Sequence, residues 1–386
     1  MQPKGRTAWL VLLASGVVLM TSFAYVSVTC SSSKPVSLRI SKIVSSSPWG
    51  DVPVSRAGAQ LHRRETVASS ACPAWLHDYA VFHTQHRGKA DARYLVQLVD
   101  GEWQGGLGDR LNGAISMLRL AKALNRVLLI QWVRPYALEE FLQPAAAINW
   151  STRGVPLERG RFFQLIDPGK WVDPVLHDGT LSKIQDQFLT ISTNLEINGT
   201  CWNCPSIVSQ WSKEAACLWQ QLFRPTDAIV HQAQAQLMKL YPGPPRQYVA
   251  VHLRLGGLTG ETGIPGVERG KSPLHNFFAG TRCAAKLARN SNIDLRQTPA
   301  LVITDNHVLR EALLELDLGS LVSPAGLPVH LDHADGHSLQ AHQSTFADMV
   351  MLGWAQCLVT SRSGFSLHAW LYGGAKPCVL PFKSCL

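Results

Sequence analysis

Charge is scarce in this sequence, and most of its imbalance sits at one end. Asp, Glu, Lys and Arg make up 16% of the 386 residues. Residues 1–93 hold 11 Lys and Arg against 4 Asp and Glu, while the remainder holds 25 against 23. Of the formal net charge of +9, +7 therefore belongs to the N-terminal tail and +2 to the rest. A nucleic-acid-binding domain usually carries its own basic stripe; this body has none, so nucleic acid is not an expected partner. The body also lacks a DxD-type acidic pair, so no metal is expected beside a nucleotide. No internal repeat appears, which sets repeat architectures aside. Cys201 and Cys204 have CxxC spacing, but no second CxxC accompanies them. Half a zinc site is left, and a local disulfide or a bridge to Cys217 accounts better for the pair.

What is present is a chain with a large core. Its 46% hydrophobic content describes a globular protein. Ala8 to Val28 is an uncharged, largely apolar run of 21 residues. At about 1.5 Å per residue it spans a bilayer core of about 30 Å. Lys4 and Arg6 precede it and favour a cytosolic tail over residues 1–7. A cleavable signal peptide is the alternative, with Ser22-Phe23-Ala24 as cleavage site, but the run is longer than a usual signal core. Either way the remainder enters the secretory pathway. Asn149-Trp150-Ser151 and Asn198-Gly199-Thr200 are glycosylation acceptors that agree with this. Eight of the nine cysteines lie beyond the membrane edge, an even number that suggests disulfides in an oxidising compartment.

Residues 29–92 are rich in Ser, Pro, Ala and basic residues, without sustained apolar periodicity, and read as a flexible stem. The body follows, with a first half over 93–245 and a second over 246–386. Tyr94 to Val99 reads as a strand, Gly105-Gly106-Leu107-Gly108-Asp109-Arg110 as a turn, then a helix, then a strand from Val127 to Trp132. Glycines at a strand-to-helix turn let backbone approach a phosphate or sugar, and a helix N-terminus favours an anion. This is not the dinucleotide fingerprint. Leu111 stands where the third glycine belongs, and no acidic residue closes the second strand.

In the second half, Tyr248 to Leu253 is a strand ending in His252-Leu253-Arg254-Leu255-Gly256-Gly257. Alternate strand positions face one way, so His252 and Arg254 project together at the end where open α/β sheets bind ligands. An arginine there can fork two hydrogen bonds onto a diphosphate; a core histidine and a salt-bridged arginine are the plainer reading. The alternation continues with a helix from Pro273 to Arg289, a strand from Ala300 to Thr304 ending in Asp305, and a helix from Val308 to Leu316. A helix from Thr345 to Gln356 carries Asp348. A strand from Cys357 to Thr360 leads into Ser361-Arg362-Ser363-Gly364-Phe365-Ser366, then a helix from His368 to Tyr372 and a strand from Cys378 to Leu380. Ser363 to Ser366 reads as a second anion cradle or as plain helix capping.

These segments together resemble the fucosyltransferase superfamily that contains protein O-fucosyltransferases and plant cell-wall fucosyltransferases. GGLGDRLNGAISMLRLAKALNRVLLIQW is similar to its first motif, VHLRLG to its HxR motif, and ITDN and DMVMLGWAQCLVTSRSGFS to its later donor-binding motifs. The resemblance covers about residues 94–380, with a poorly matched middle from about 134 to 245. It implies an α/β fold of GT-B type, two Rossmann-like halves facing a cleft. It implies inverting, metal-independent transfer from a GDP-sugar, by family most often GDP-fucose, to a glycan or glycoprotein. With the apolar run over 8–28, the expectation is a single-pass membrane protein of the Golgi or endoplasmic reticulum with a lumenal body. Carried over residue by residue, Arg254 binds the diphosphate as GDP leaves and His252 lines the same site. Gly105, Gly106, Gly108 and Asp109 form the glycine loop. Asp348 contacts guanine or ribose, Asp305 lies at the pocket rim, and Ser363, Gly364 and Ser366 cradle phosphate.

Two departures stand out. The family's loop usually carries Asn where this chain has Asp109, and protein O-fucosyltransferases carry Arg where it has Gly106; Arg110 could replace that arginine from a different position. An ionised aspartate only accepts hydrogen bonds and repels a diphosphate. A non-catalytic nucleotide-sugar or glycan-binding relative is therefore the second reading, and a Rossmann oxidoreductase the third. Glu261 and Glu268, in the loop after Arg254, are candidates for a catalytic base.

Overall fold

Tyr94–Val99 (β1) is buried along almost its whole length, as a strand covered on both faces must be. It is followed by the helix Leu107–Ala123 (α2) and by Val127–Trp132 (β2), which pairs with β1 in parallel. Phe188–Thr193 (β5) pairs with the other edge of β1, and Arg161–Leu165 (β4) lies outside it. All contacts in this sheet are parallel, and its order is β2-β1-β5-β4. The computed structural model describes residues 72–385 apart from 102–103, 146–147, 159, 166–178, 195–207, 242–246, 256–272, 317, 327–328, 330, 332–336 and 362. The apolar run over 8–28, the Asn198 acceptor, Cys201, Cys204, Gly256, Gly257, Glu261 and Glu268 lie outside the described residues. Among the described residues no helix is long and apolar enough to cross a membrane.

A second parallel sheet is built from Val249–Leu253 (β7), Ala300–Thr304 (β8), Leu321–Val322 (β9), Cys357–Thr360 (β10) and Val379–Pro381 (β11). Its order is β11-β10-β7-β8-β9. The chain moves outward from β7 through β8 to β9, then returns to the other side of β7 for β10. The order thus reverses between β7 and β10, and open α/β sheets bind ligands at the carboxyl ends of such strands. Pro273–Asn290 (α5), His307–Glu315 (α6), Leu339–Trp354 (α7) and Gly364–Tyr372 (α8) follow their strands in turn.

The middle of the chain supplies the joint. A short antiparallel pair, Leu142–Pro144 (β3) with Phe223–Pro225 (β6), brackets the helix Val208–Leu222 (α3). α8 packs on α2, on α3 and on α7, so a helix of the second half lies against helices of the first. Aromatic contacts cement this: Phe141 stacks on Phe346 at 4.3 Å, and Trp219 meets Tyr372 at 5.1 Å between centroids.

Three expectations need correction. The stem does not reach residue 92. Ala74–His86 is a helix (α1) that buries Leu76, Tyr79 and His83, and the Tyr79 hydroxyl donates to the Arg126 carbonyl at 3.0 Å. Cys72 is bonded to Cys217 on α3, so the ordered body begins by residue 72, and Cys217 is not available to Cys201. The helix Asp227–Leu240 (α4), assigned from sequence to the first half, packs against α7 of the second, with Ile229, Ala233 and Leu237 buried. Two further disulfides, Cys283–Cys385 and Cys357–Cys378, tie the C-terminal segment to α5 and β10.

Candidate functional site

The glycine loop after β1 is fixed from within. Gly105 has φ +76°, where a side chain is strained, and a Cβ there would lie 2.6 Å from the Asp109 carboxylate. Gly106 precedes the first turn of α2, and its N–H donates to Asp109 Oδ2 at 3.2 Å. Arg110 is buried and spends its guanidinium on the loop. It donates to the carbonyls of Gly105 (2.8 Å), Arg134 (2.8 Å) and Gly101 (3.2 Å), and lies 5.4 Å from the centre of the Trp132 ring. It therefore shapes the loop, and does not stand in for the arginine that the family places at the Gly106 position.

The second half brings its own residues to the same place. Arg254 Nη1 lies 3.0 Å from Asp305 Oδ2, and the Leu255 N–H donates to Asp305 Oδ1 at 2.7 Å. Asp305, just past β8, thus anchors the chain after β7 and aims the arginine. His252 is turned inward. Its Nδ1 lies 2.5 Å from Ser366 Oγ and 2.9 Å from Ser361 Oγ. The Arg254 N–H also donates to Ser361 Oγ, at 3.3 Å. Burial, then the Arg254 charge, pushes the His252 pKa down to about 3. A histidine held neutral in this position ties β7 to the start of α8.

Two helix starts meet here. A Cβ on Gly108 would lie 2.4 Å from the Gly364 carbonyl carbon, so α2 of the first half and α8 of the second touch backbone to backbone. One turn further on, His368 Nε2 and Asn112 Oδ1 are 2.9 Å apart. First-turn amides of a helix have no intrahelical acceptors, and the helix dipole adds partial positive charge. Arg254 stands beside this junction, within electrostatic reach of Asp109. Gly108→Ala forces one backbone away from the other. Overpacking of this kind costs about 1–3 kcal/mol, and the expected result is a lower melting temperature together with weaker anion binding.

The predicted residues do not all reach the site. Ser363 accepts from the Phe365 N–H at 3.2 Å, so its hydroxyl caps α8. The buried Ser366 hydroxyl is held by His252 and cannot cradle phosphate, because it faces the interior. Asp348 is a correction as well. It is buried and receives two hydrogen bonds from Arg310, at 2.7 and 3.2 Å. Burial pushes its pKa up, and Arg310 pulls it down. Arg310 also donates to the Pro324 carbonyl at 2.9 Å, so this pair fixes the turn after β9 and leaves no carboxylate for a base or ribose. Sequence reasoning missed the role of Ser361, although its position beside β10 at the reversal of strand order was the available signal. The Gly108–Gly364 contact had none, since its partners are 256 positions apart.

Asp109 is the exposed member of the group. Protein crowds its carboxyl, and the loss of water pushes its pKa above the usual carboxylate value. The Gly106 N–H and the Arg254 and Arg110 charges act in the opposite direction.

No protein-family model matches the sequence, and no curated protein matches it. Among solved structures the chain is similar to an Arabidopsis thaliana FUT1 mutant in complex with GDP, at 16% identity over 84% of this chain and 77% of that one, with a TM-score of 0.47. It is similar to NodZ alpha-1,6-fucosyltransferase soaked with GDP-fucose, at 13% identity over 75% and 94%, with a TM-score of 0.44. It is similar to the apo form of POFUT1, at 13% identity over 76% and 99%, with a TM-score of 0.47. Likeness of this degree leaves the function to rest on the site itself.

Proposed function

We propose that this chain is an inverting glycosyltransferase of GT-B type that transfers fucose from GDP-fucose to a glycan or glycoprotein acceptor. The observation that carries the reading is the convergence of two helix starts, one from each half, with Arg254 at the reversal of strand order. The four sequence motifs that resemble the fucosyltransferase superfamily supply the donor class. On this reading the diphosphate lies against the junction, and Arg254 neutralises the charge that grows on it as the sugar–phosphate bond breaks. The Asp305 carboxylate holds the guanidinium in place beforehand, so no reorganisation is needed during the reaction. The acceptor oxygen attacks the anomeric carbon from the opposite face, and GDP departs with the bonding electrons. The body is lumenal, behind an anchor over residues 8–28, in the Golgi or endoplasmic reticulum membrane.

Because Arg254 and the helix starts provide the positive charge, turnover is expected to persist in EDTA. Complete loss that Mn²⁺ restores contradicts this assignment. A thermal-shift series with GDP, UDP and NAD(P) tests the binding step. Stabilisation by GDP alone is expected; a shift with NAD(P) in its place returns the oxidoreductase reading. A specific feature, the Asp109 carboxylate beside Arg254, favours a second reading as a non-catalytic GDP-sugar binder. Its signature is a GDP shift without turnover of any donor.

A further inference from the structure

We infer that Asp109 is the catalytic base that takes the proton from the attacking hydroxyl. The inference rests on the glycosyltransferase reading and adds a residue to it. An inverting transfer has a proton to place. As the acceptor oxygen bonds to the anomeric carbon, the bond from that carbon to the phosphate oxygen breaks and its electrons leave with GDP. The acceptor O–H proton must pass to a group on the acceptor side.

The described titratable groups around the junction divide cleanly. Asp305 accepts from Arg254 and from the Leu255 N–H. Asp348 is sealed in the core with Arg310. His252 is buried, neutral and bonded to Ser361 and Ser366. Arg110 is occupied by loop carbonyls. Asp109 alone among these is an exposed residue, and its carboxyl, though crowded by protein, accepts only the Gly106 N–H among the described residues.

Its position suits the task. Asp109 comes from the first half of the body, whereas Arg254 and Asp305 come from the second, so base and leaving-group partner approach from opposite halves. The Gly106 N–H holds Oδ2, which leaves Oδ1 to receive a proton. The contact with Gly364 keeps this first turn of α2 beside the start of α8. The groups that set its protonation are the Gly106 N–H and Arg110 from its own loop and helix and Arg254 from the end of β7. A carboxylate that repels a bound diphosphate is a poor ligand for the donor. The same carboxylate is a good acceptor for the proton of a hydroxyl that attacks the sugar.

The test uses the full chain and GDP-fucose without added acceptor, so that water is the nucleophile and GDP release is the signal. Asp109→Asn keeps the oxygen that accepts from Gly106, so the fold is retained, and GDP affinity should rise as the repelling charge is removed. Loss of general-base catalysis typically costs about 10²–10⁴ in rate, and a fall of that size is expected. The acid limb of the pH–rate profile, where turnover drops as Asp109 gains its proton, should vanish with it. Azide carries no proton and needs no base. Adding it to Asp109→Ala should restore GDP release and yield a fucosyl azide, which a merely structural role for Asp109 would not allow. Wild-type turnover in Asp109→Asn, or an Asp109→Ala enzyme that azide does not revive, overturns the inference and leaves the glycosyltransferase reading standing. A wild-type chain that turns over no donor overturns both.

Discussion

Arg254→Ala is expected to lower GDP-fucose turnover by about 10²–10³, the loss that follows removal of one well-aimed charged donor, or about 2.7–4 kcal/mol of transition-state stabilisation. Stability will fall too, because the mutation strips the ion-pair partner from Asp305, a largely buried carboxylate. Arg254→Lys separates the two effects. A lysine still offers a positive charge to Asp305 and should recover most of the melting temperature. It cannot reproduce the planar fork toward a diphosphate, so turnover should stay low. Recovery of turnover along with the melting temperature would make Arg254 a structural residue. Turnover, GDP affinity and melting temperature on the three proteins decide the matter.

Asp348→Ala gives the opposite pattern. Removing one partner of a buried ion pair leaves an uncompensated charge and costs about 3–5 kcal/mol. Arg310 would lose two hydrogen bonds and keep its bond to the Pro324 carbonyl without the carboxylate that orients it. The expected outcome is a chain that melts far below wild type, while the folded fraction binds GDP with unchanged affinity. A paired replacement, Arg310→Met with Asp348→Leu, removes both charges and should regain much of the loss, since apolar pairs of similar volume are often as stable as the ions they replace. Weak GDP binding in a stably folded Asp348→Ala protein would restore the aspartate to the nucleotide site.

The strands that carry the site were legible because their sequences leave few alternatives. Tyr94–Val99, Val127–Trp132 and Ala300–Thr304 are short apolar runs between turn residues, and their bounds are those read from the sequence. Helices were harder where the apolar face is diluted. α7 begins at Leu339, six residues before the expected start, because Ser338 caps it and His342 and Gln343 interrupt the apolar pattern. α1 lay hidden in a segment whose composition reads as linker; its burial depends on Arg126 and Leu128, which are distant in sequence. Within the site, the strand-end position of Arg254 was readable from residue type and spacing. The inward turn of Ser366, the loop-bound guanidinium of Arg110 and the Asp348–Arg310 pair were not. Each depends on a partner that only the folded chain supplies, and a polar residue in a motif looks the same whether it faces a ligand or the core.

The central claim is that the junction of α2, α8 and Arg254 holds the diphosphate of a GDP-sugar and activates it for transfer. Its most direct test is release of nucleotide by the purified full chain from a panel of GDP-fucose, GDP-mannose, UDP-glucose and UDP-N-acetylglucosamine. GDP release from GDP-fucose, abolished in Arg254→Ala and absent with both UDP-sugars, is the predicted result. Turnover of a UDP-sugar in preference to GDP-fucose, or GDP-fucose turnover that survives Arg254→Ala, contradicts it.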